Sequence, residues 1–93
     1  MPALRVHPFA PNPTNRFTQF QYELSQPSGV RITIYDVTGR LVRTLVDSWQ
    51  APGVHPVAWD SRDNRGLEVP SGTYFMRIQA GALRHGNKVV LLR

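Results

Sequence analysis

The sequence contains no cysteine, and this absence excludes several kinds of site. Without thiols the chain has no disulfides, no thiolate zinc site and no cysteine nucleophile, so its stability must come from packing. Long apolar runs are also missing, since the longest unbroken one is Val89–Leu92. Four residues are far too few to enter a bilayer, and the first residues do not form the apolar segment of a signal peptide. We therefore expect no membrane insertion, although an export signal could lie upstream in a longer parent protein.

Acidic side chains are scarce in the sequence. The chain has 11 Lys and Arg against 6 Asp and Glu, which gives a net charge of +5. A basic balance invites a nucleic-acid interpretation. However, all the cations except Lys88 are arginines, no two of them are adjacent, and they form no cluster of the kind that follows phosphates. Tyr35, Phe75 and Arg77 have outward parities and could form a stacking surface, but three residues are little support for one. We expect dispersed, solvated arginines and no nucleic-acid partner.

The 93 residues describe one domain, residues 1–93, whose pattern is all-β. Eight prolines and seven glycines separate short runs in which apolar and polar residues alternate. Their number and spacing predict about seven strands, and two packed antiparallel sheets fit better than one closed sheet. The segment 40–46 has no clear face and suggests a bulge. The side chains predicted to face inward are Phe20, Tyr22, Leu24, Val30, Ile32, Ile34, Val57, Trp59, Tyr74, Met76, Ile78, Val89 and Leu91.

Catalytic and metal-binding patterns are absent from the sequence. His7, His55 and His85 are far apart and have no second ligand nearby, so we expect no metal site and no cofactor. No nucleophile elbow is present, and the carboxylates are spread along the chain. A small domain that uses its apolar residues for the core has little room for a deep substrate pocket. We therefore expect that the domain is not an enzyme.

Two features leave a binding role open. The loop Asp60–Gly66 contains carboxylates and an amide that could bind calcium, but its spacing does not match a calcium-binding loop. The favoured interpretation is that Asp60, Asp63 and Asn64 form Asx turns on their own backbone, while Gly66 adopts a positive φ. Trp49, which we place in a loop, could stack on a sugar ring.

The motifs together resemble a known group of domains. They are Pro11–Pro13, Ile34–Val42 with Asp36 and Gly39, Trp59-Asp60, Asn64–Gly66, Pro70–Phe75 with Gly72 and Tyr74, and Lys88–Leu91. In this order they resemble the C-terminal sorting domain of type IX secretion cargo, and equally the Ig-like domain of flagellar hook-capping proteins. The resemblance covers about residues 6–93 and implies an Ig-like β-sandwich.

The sorting branch of the resemblance implies a function. Such domains end large exported bacterial proteins, where the outer-membrane translocon recognises them and surface-attachment machinery acts on the cargo. The last motif, Lys88-Val89-Val90-Leu91, ends near the last residue, which favours this branch and a location outside the cell or on its surface. We expect recognition at Gly72 and at Lys88, Val89, Val90 and Leu91. Asp36, Gly39, Trp59, Asp60, Gly66 and Tyr74 are expected to be turn and core residues of the fold.

Alternatives remain open at this point. The domain could be an interaction or scaffold module, either similar to the hook cap or a sugar-binding accessory domain of a secreted hydrolase. The chain departs from the commonest pattern in its few lysines and in its short segment Asn12–Asn15, and we expect neither departure to affect the fold.

Overall fold

The computed structural model describes residues 3–93, which form seven strands and no helix. The described chain therefore has no helix that could cross a membrane. The strands are β1 (Leu4–Ala10), β2 (Thr18–Leu24), β3 (Ser28–Tyr35), β4 (Leu41–Gln50), β5 (Gly53–Trp59), β6 (Gly72–Ala80) and β7 (Leu83–Leu91).

The strands form two antiparallel sheets that pack face to face. One sheet has three strands in the order β1-β2-β5, and the other has four in the order β4-β3-β6-β7. The chain crosses between the sheets three times, from β2 to β3, from β4 to β5 and from β5 to β6. The predicted all-β, Ig-like sandwich of about seven strands is confirmed. Strands β4 and β7 are the two outer strands of the larger sheet.

Alternating side chains of both sheets fill the space between them, as period-two patterning requires. Every side chain predicted to face inward is buried, and Trp59, Ile32, Ile34 and Ile78 have no exposed surface. Phe9 also joins the core, since β1 continues to Ala10. The core is continuous from one sheet to the other.

Strand β4 is irregular, as the ambiguous faces of its residues suggested. Its register with β3 shifts twice, once at Leu45 and once at Val42. Each extra residue is a bulge that twists the strand locally and changes which side chains face inward. By contrast, β7 pairs with β6 over nine residue pairs without a shift.

Two expectations about side chains need correction. Trp49 does not lie in a loop, because β4 continues to Gln50 and carries the indole on its surface, 72% exposed. The alternation along β3 predicts that Thr33 faces outward with Arg31 and Tyr35, yet it is 2% exposed. It lies in the central strand β3, opposite Thr44 on one side and Arg77 on the other, and these neighbouring strands cover it.

Candidate functional site

The turn between β3 and β4 is built around one carboxylate. Asp36 Oδ1 accepts hydrogen bonds from the Thr38 hydroxyl at 2.6 Å, the Thr38 amide at 2.9 Å and the Arg40 amide at 3.1 Å. The Thr38 hydroxyl makes the largest contribution to lowering the pKa of Asp36. Gly39 has a φ of 86°, which suits glycine. Asp36 and Gly39 therefore maintain the turn.

Trp59 and Tyr74 join the two sheets at one end of the core. Their rings meet edge to face with centroids 5.3 Å apart. The indole Nε1 donates to the Arg62 carbonyl at 3.1 Å, and the Tyr74 hydroxyl donates to the Pro70 carbonyl at 2.6 Å. Burial raises the pKa of Tyr74. Both aromatic residues therefore hold the loop that connects β5 to β6, in addition to filling the core.

That loop contains the polar residues considered as a calcium site. Asp60 Oδ1 accepts from the Arg62 amide at 3.1 Å, and Asp63 Oδ1 accepts from the amides of Arg65 and Leu67 at 2.9 and 3.0 Å. Both aspartates thus form the expected Asx turns, and Gly66, which follows them in the loop, has a φ of 82°. Within residues 3–93, no three His, Cys, Asp or Glu side chains come close enough to hold a metal ion.

Asn64 does not form the expected turn on its own backbone. Its side-chain Oδ1 accepts from the backbone amide of Thr44 at 3.0 Å, and its backbone amide donates to the Val42 carbonyl at 3.0 Å. Asn64 therefore covers part of the outer edge of β4. Because this contact crosses 20 residues of sequence, the local turn preference of asparagine could not reveal it.

Two arginines fix the same loop, so the expectation of dispersed, solvated arginines is wrong for them. Arg43 Nη1 lies 3.2 Å from Asp60 Oδ1 and is partly buried. Arg93 donates from Nε to the Val69 carbonyl at 2.8 Å and from Nη2 to the Ser61 carbonyl at 3.0 Å. A guanidinium can satisfy several carbonyl groups at once, which explains the use of arginine here.

A second polar contact lies at the outer edge of β7. The amide of Asn12 donates from Nδ2 to the Lys88 carbonyl at 2.9 Å, and its Oδ1 accepts from the Val90 amide at 2.9 Å. The Thr14 amide then donates to the Val90 carbonyl at 2.9 Å, and its carbonyl accepts from the Leu92 amide at 2.8 Å. We call the segment Asn12–Thr14 the edge bracket. It joins the first and last motifs of the sequence into one unit.

The predicted recognition residues divide between the core and the surface. Val89 and Leu91 have no exposed surface, so a partner of the folded domain cannot contact their side chains. Lys88 is exposed on the outer face of the sheet, and Val90 is half-buried. Gly72 pairs with Leu91 at the start of β6, next to the edge bracket. Gly72 and Lys88 therefore lie at the two ends of one short stretch of sheet.

Sequence reasoning missed the structural roles of Asn12, Thr14 and Ser61. Asn12 stands between two prolines, which cannot donate backbone hydrogen bonds, and this pattern could have indicated a polar side chain used for bracing. Ser61 has a φ of 62° and a fully buried side chain, and its hydroxyl donates to the Arg16 carbonyl. Serine rarely adopts this conformation, and no local signal predicts it.

Comparison with known proteins identifies the family. Residues 14–83 match the family described as the FlgD Ig-like domain. The chain belongs to this family. Its match to the basal-body rod modification protein FlgD of Salmonella typhimurium is 44% identical over 64 residues, or 68% of this chain. FlgD of Salmonella typhi matches to the same extent. The matched part is 28% of either relative, so this chain corresponds to only a small part of those proteins.

Two solved structures share the fold of this FlgD Ig-like domain. Dimeric latent PorU from Porphyromonas gingivalis matches 99% of the chain with a TM-score of 0.77 and 20% identity, over 9% of its own length. PorZ of the same organism, titled an essential bacterial surface component of the type IX secretion system, matches 97% of the chain with a TM-score of 0.62 and 20% identity, over 11% of its length. At this identity the likeness establishes the fold.

Proposed function

We propose that this domain is a non-catalytic recognition and anchoring module of a secreted bacterial protein, and that the type IX secretion translocon recognises it. The upstream part of the parent protein would be the cargo, and the module would bring that cargo to the cell surface. The domain itself needs no cofactor for this function.

The edge bracket is the observation that carries this proposal. The motif segments at the two ends of the chain lie mostly outside the matched family range 14–83, yet Asn12 hydrogen-bonds both Lys88 and Val90. The likeness to PorU extends over 99% of the chain and so includes both segments. In a non-catalytic domain, an edge bracket that ties the first motif to the last would hold both in one fixed surface for a partner.

The recognised surface would be the outer side of this unit. Because Val89 and Leu91 are buried, the translocon would meet Lys88, the half-buried Val90 and the nearby Gly72. The buried pair would act by holding the strand in place. For the same reason, deleting residues 88–93 is a poor test, since it removes two core side chains.

An export assay tests the proposal. Residues 1–93 are fused behind a signal peptide and a reporter in a bacterium with an active type IX system, beside a fusion to an established sorting domain. We expect reporter on the cell surface, and a strong reduction in the Asn12→Ala variant. Asn15→Ala is the matched control, because Asn15 is exposed and makes no hydrogen bond within residues 3–93. A reporter that stays periplasmic while the established domain exports it contradicts the proposal.

A second candidate is a scaffold role like that of the FlgD Ig-like domain, which the 44% identity to FlgD favours. Replacing the Ig-like domain that contains the matched segment of Salmonella FlgD by residues 1–93 and scoring swimming motility tests it. Restored motility supports the scaffold role, while a stable but immotile chimera contradicts it.

A sugar-binding accessory role has one supporting observation, the exposed Trp49 on β4. Retention on insoluble polysaccharides, compared between the native domain and Trp49→Ala, tests this role. Equal retention of the two proteins contradicts it.

A further inference from the structure

The outer face of the larger sheet contains a concave surface that encloses a volume of about 760 Å³. Its floor includes Gly86, which has no side chain to fill the space between its neighbours on β7. Val37 of the β3–β4 turn also lines this surface. We call this surface the β7 groove; the residues used below are Tyr35, Phe75, Arg77, Arg84, Gly86 and Lys88.

The β7 groove is positively charged. Arg77, Arg84 and Lys88 are exposed, and within residues 3–93 the ion pairs of the domain involve other cations. The groove contains one acidic residue, Asp36, whose Oδ1 already accepts three hydrogen bonds from its own turn. The charge of the groove is thus complementary to an anionic partner.

The same stretch of β7 has an open backbone edge. The edge bracket engages the outward groups of Val90 and the carbonyl of Lys88. Backbone direction alternates along a strand, so Arg84 and Gly86 also direct their amides and carbonyls outward, and Lys88 its amide. In the described part of the chain, β7 has no strand on this side. Such a row can pair with an added extended peptide.

A second copy of this chain is a poor occupant of that edge. Pairing β7 with β7 would bring Arg84 and Lys88 of one copy against the same cations of the other, and like charges across strands are destabilising. A nucleic acid is also disfavoured. Arg77 lies over the Tyr35 ring at 5.3 Å, which leaves Phe75 as the one uncovered aromatic of the groove. A nucleic acid would also leave the open backbone edge unused.

We propose that an extended acidic segment of a partner protein adds to β7 as a fifth strand along Arg84–Lys88. Side chains opposite Arg84, Gly86 and Lys88 would share the outer face of the sheet, so acidic residues would face the two cations. The residue opposite Gly86 would be aromatic, because an aromatic ring covers the surface that an edge glycine leaves open. The recognised pattern is acidic, any, aromatic, any, acidic. This proposal does not depend on the export role.

Peptide binding tests the proposal on the whole domain. The probe is a synthetic peptide with Glu-Thr-Phe-Thr-Glu at its centre, and the control peptide replaces both glutamates by lysine. We expect amide signals of residues 84–88 to shift in NMR titrations with the acidic peptide, with affinity decreasing as salt rises. The lysine peptide should bind at least tenfold more weakly. Equal binding of the two peptides, or shifts confined to other strands, overturns the proposal.

Two variants separate the charge and backbone contributions. Arg84→Glu with Lys88→Glu should weaken acidic-peptide binding at least tenfold, while Arg16→Glu with Arg65→Glu, at two exposed arginines outside the groove, should not. Gly86→Pro removes an outward amide without removing a hydrogen bond to β6, and should also abolish binding. Thermal unfolding checks that each variant folds.

The remaining outcomes are also decisive. Binding that persists in the folded Gly86→Pro domain overturns strand addition. Failure of the acidic peptide to bind at millimolar concentration and low salt overturns the proposal. Retention of labelled single-stranded DNA at the groove, without peptide binding, assigns the charge to a different partner and also overturns it.

Discussion

The two outer strands of the larger sheet, β4 and β7, each have part of their open edge covered by an asparagine side chain. They differ in how regular the strand is. On β4 the side chain of Asn64 covers the edge at Thr44, and on β7 the side chain of Asn12 covers it at Lys88 and Val90. The two bulges of β4, at Val42 and Leu45, flank the Asn64 contact at Thr44, whereas β7 stays regular. Bulges make an edge unsuitable for pairing. The regular edge of β7 is instead protected from other copies by its cations, so it remains open to a partner of opposite charge.

The largest expected effect concerns how deeply the two strands enter the core. Leu91 on β7 is fully buried, whereas Leu45 on β4 lies at a bulge and is half-buried. We expect Leu91→Ala to lower the free energy of unfolding by about 3 kcal/mol. Leu45→Ala should cost about 1 kcal/mol, since less apolar surface is lost. Urea unfolding measures both, and equal losses would show that the two strands support the core alike.

The next effect concerns the asparagines that cover the two edges. Asn12 makes two hydrogen bonds to β7 through its side chain, and Asn64 makes one to β4. We expect Asn12→Ala to cost about 2 kcal/mol and Asn64→Ala about 1 kcal/mol. Hydrogen exchange should accelerate at the Val90 amide in the first variant and at the Thr44 amide in the second. Acceleration of both amides in either variant would contradict separate roles for the two residues.

A smaller effect tests the protection of β7 by charge. Replacing Arg84 and Lys88 by threonine removes the like charges that oppose pairing of two copies. We expect concentration-dependent dimers in sedimentation equilibrium at 0.15 M salt, under which we expect the native domain to stay monomeric. The matched change Arg16→Thr with Arg65→Thr, which removes two exposed cations away from β7, should cause no association. Dimers in both variants would contradict a specific role of Arg84 and Lys88 in keeping β7 from pairing with a second copy.

The smallest effect is a pH dependence in the turn that leads into β4. The pKa of Asp36 is lowered in the folded domain, chiefly by the Thr38 hydroxyl. Its contribution to stability is therefore complete above the unfolded pKa of about 3.9 and is lost as the pH falls through the lower, folded value. Thr38→Val should reduce this acid-dependent component. Identical pH profiles of unfolding for the two proteins between pH 2 and 5 would contradict it.

Much of the fold could be predicted because its signals are local. Alternation in Phe20–Leu24 places Phe20, Tyr22 and Leu24 on one face, and the structure buries all three. The turn at Asp36–Gly39 follows from the chemistry of aspartate and glycine at those positions. Prediction was weaker where a residue depends on its neighbours in space. Thr33 was assigned outward by its parity, but the strands beside it remove its exposure.

The candidate site was less predictable because its contacts cross the chain. Lys88–Leu91 was recognised as a motif, yet the alternation of core and surface within it separates Val89 and Leu91 from any partner. Arg93 is one of many arginines in the sequence, and its hydrogen bonds to Val69 and Ser61 follow only from the return of the chain end to the β5–β6 loop.

The sequence alone determined an all-β fold without thiols, since strand periodicity, turn residues and composition act over a few positions. Tertiary structure alone decided that Asn12 meets β7, 76 residues away at Lys88 and 78 at Val90, and that Asn64 meets β4. It also decided which part of β7 remains open. Those contacts depend on which strands become the edges of a sheet, and that is fixed by packing the whole chain around one core.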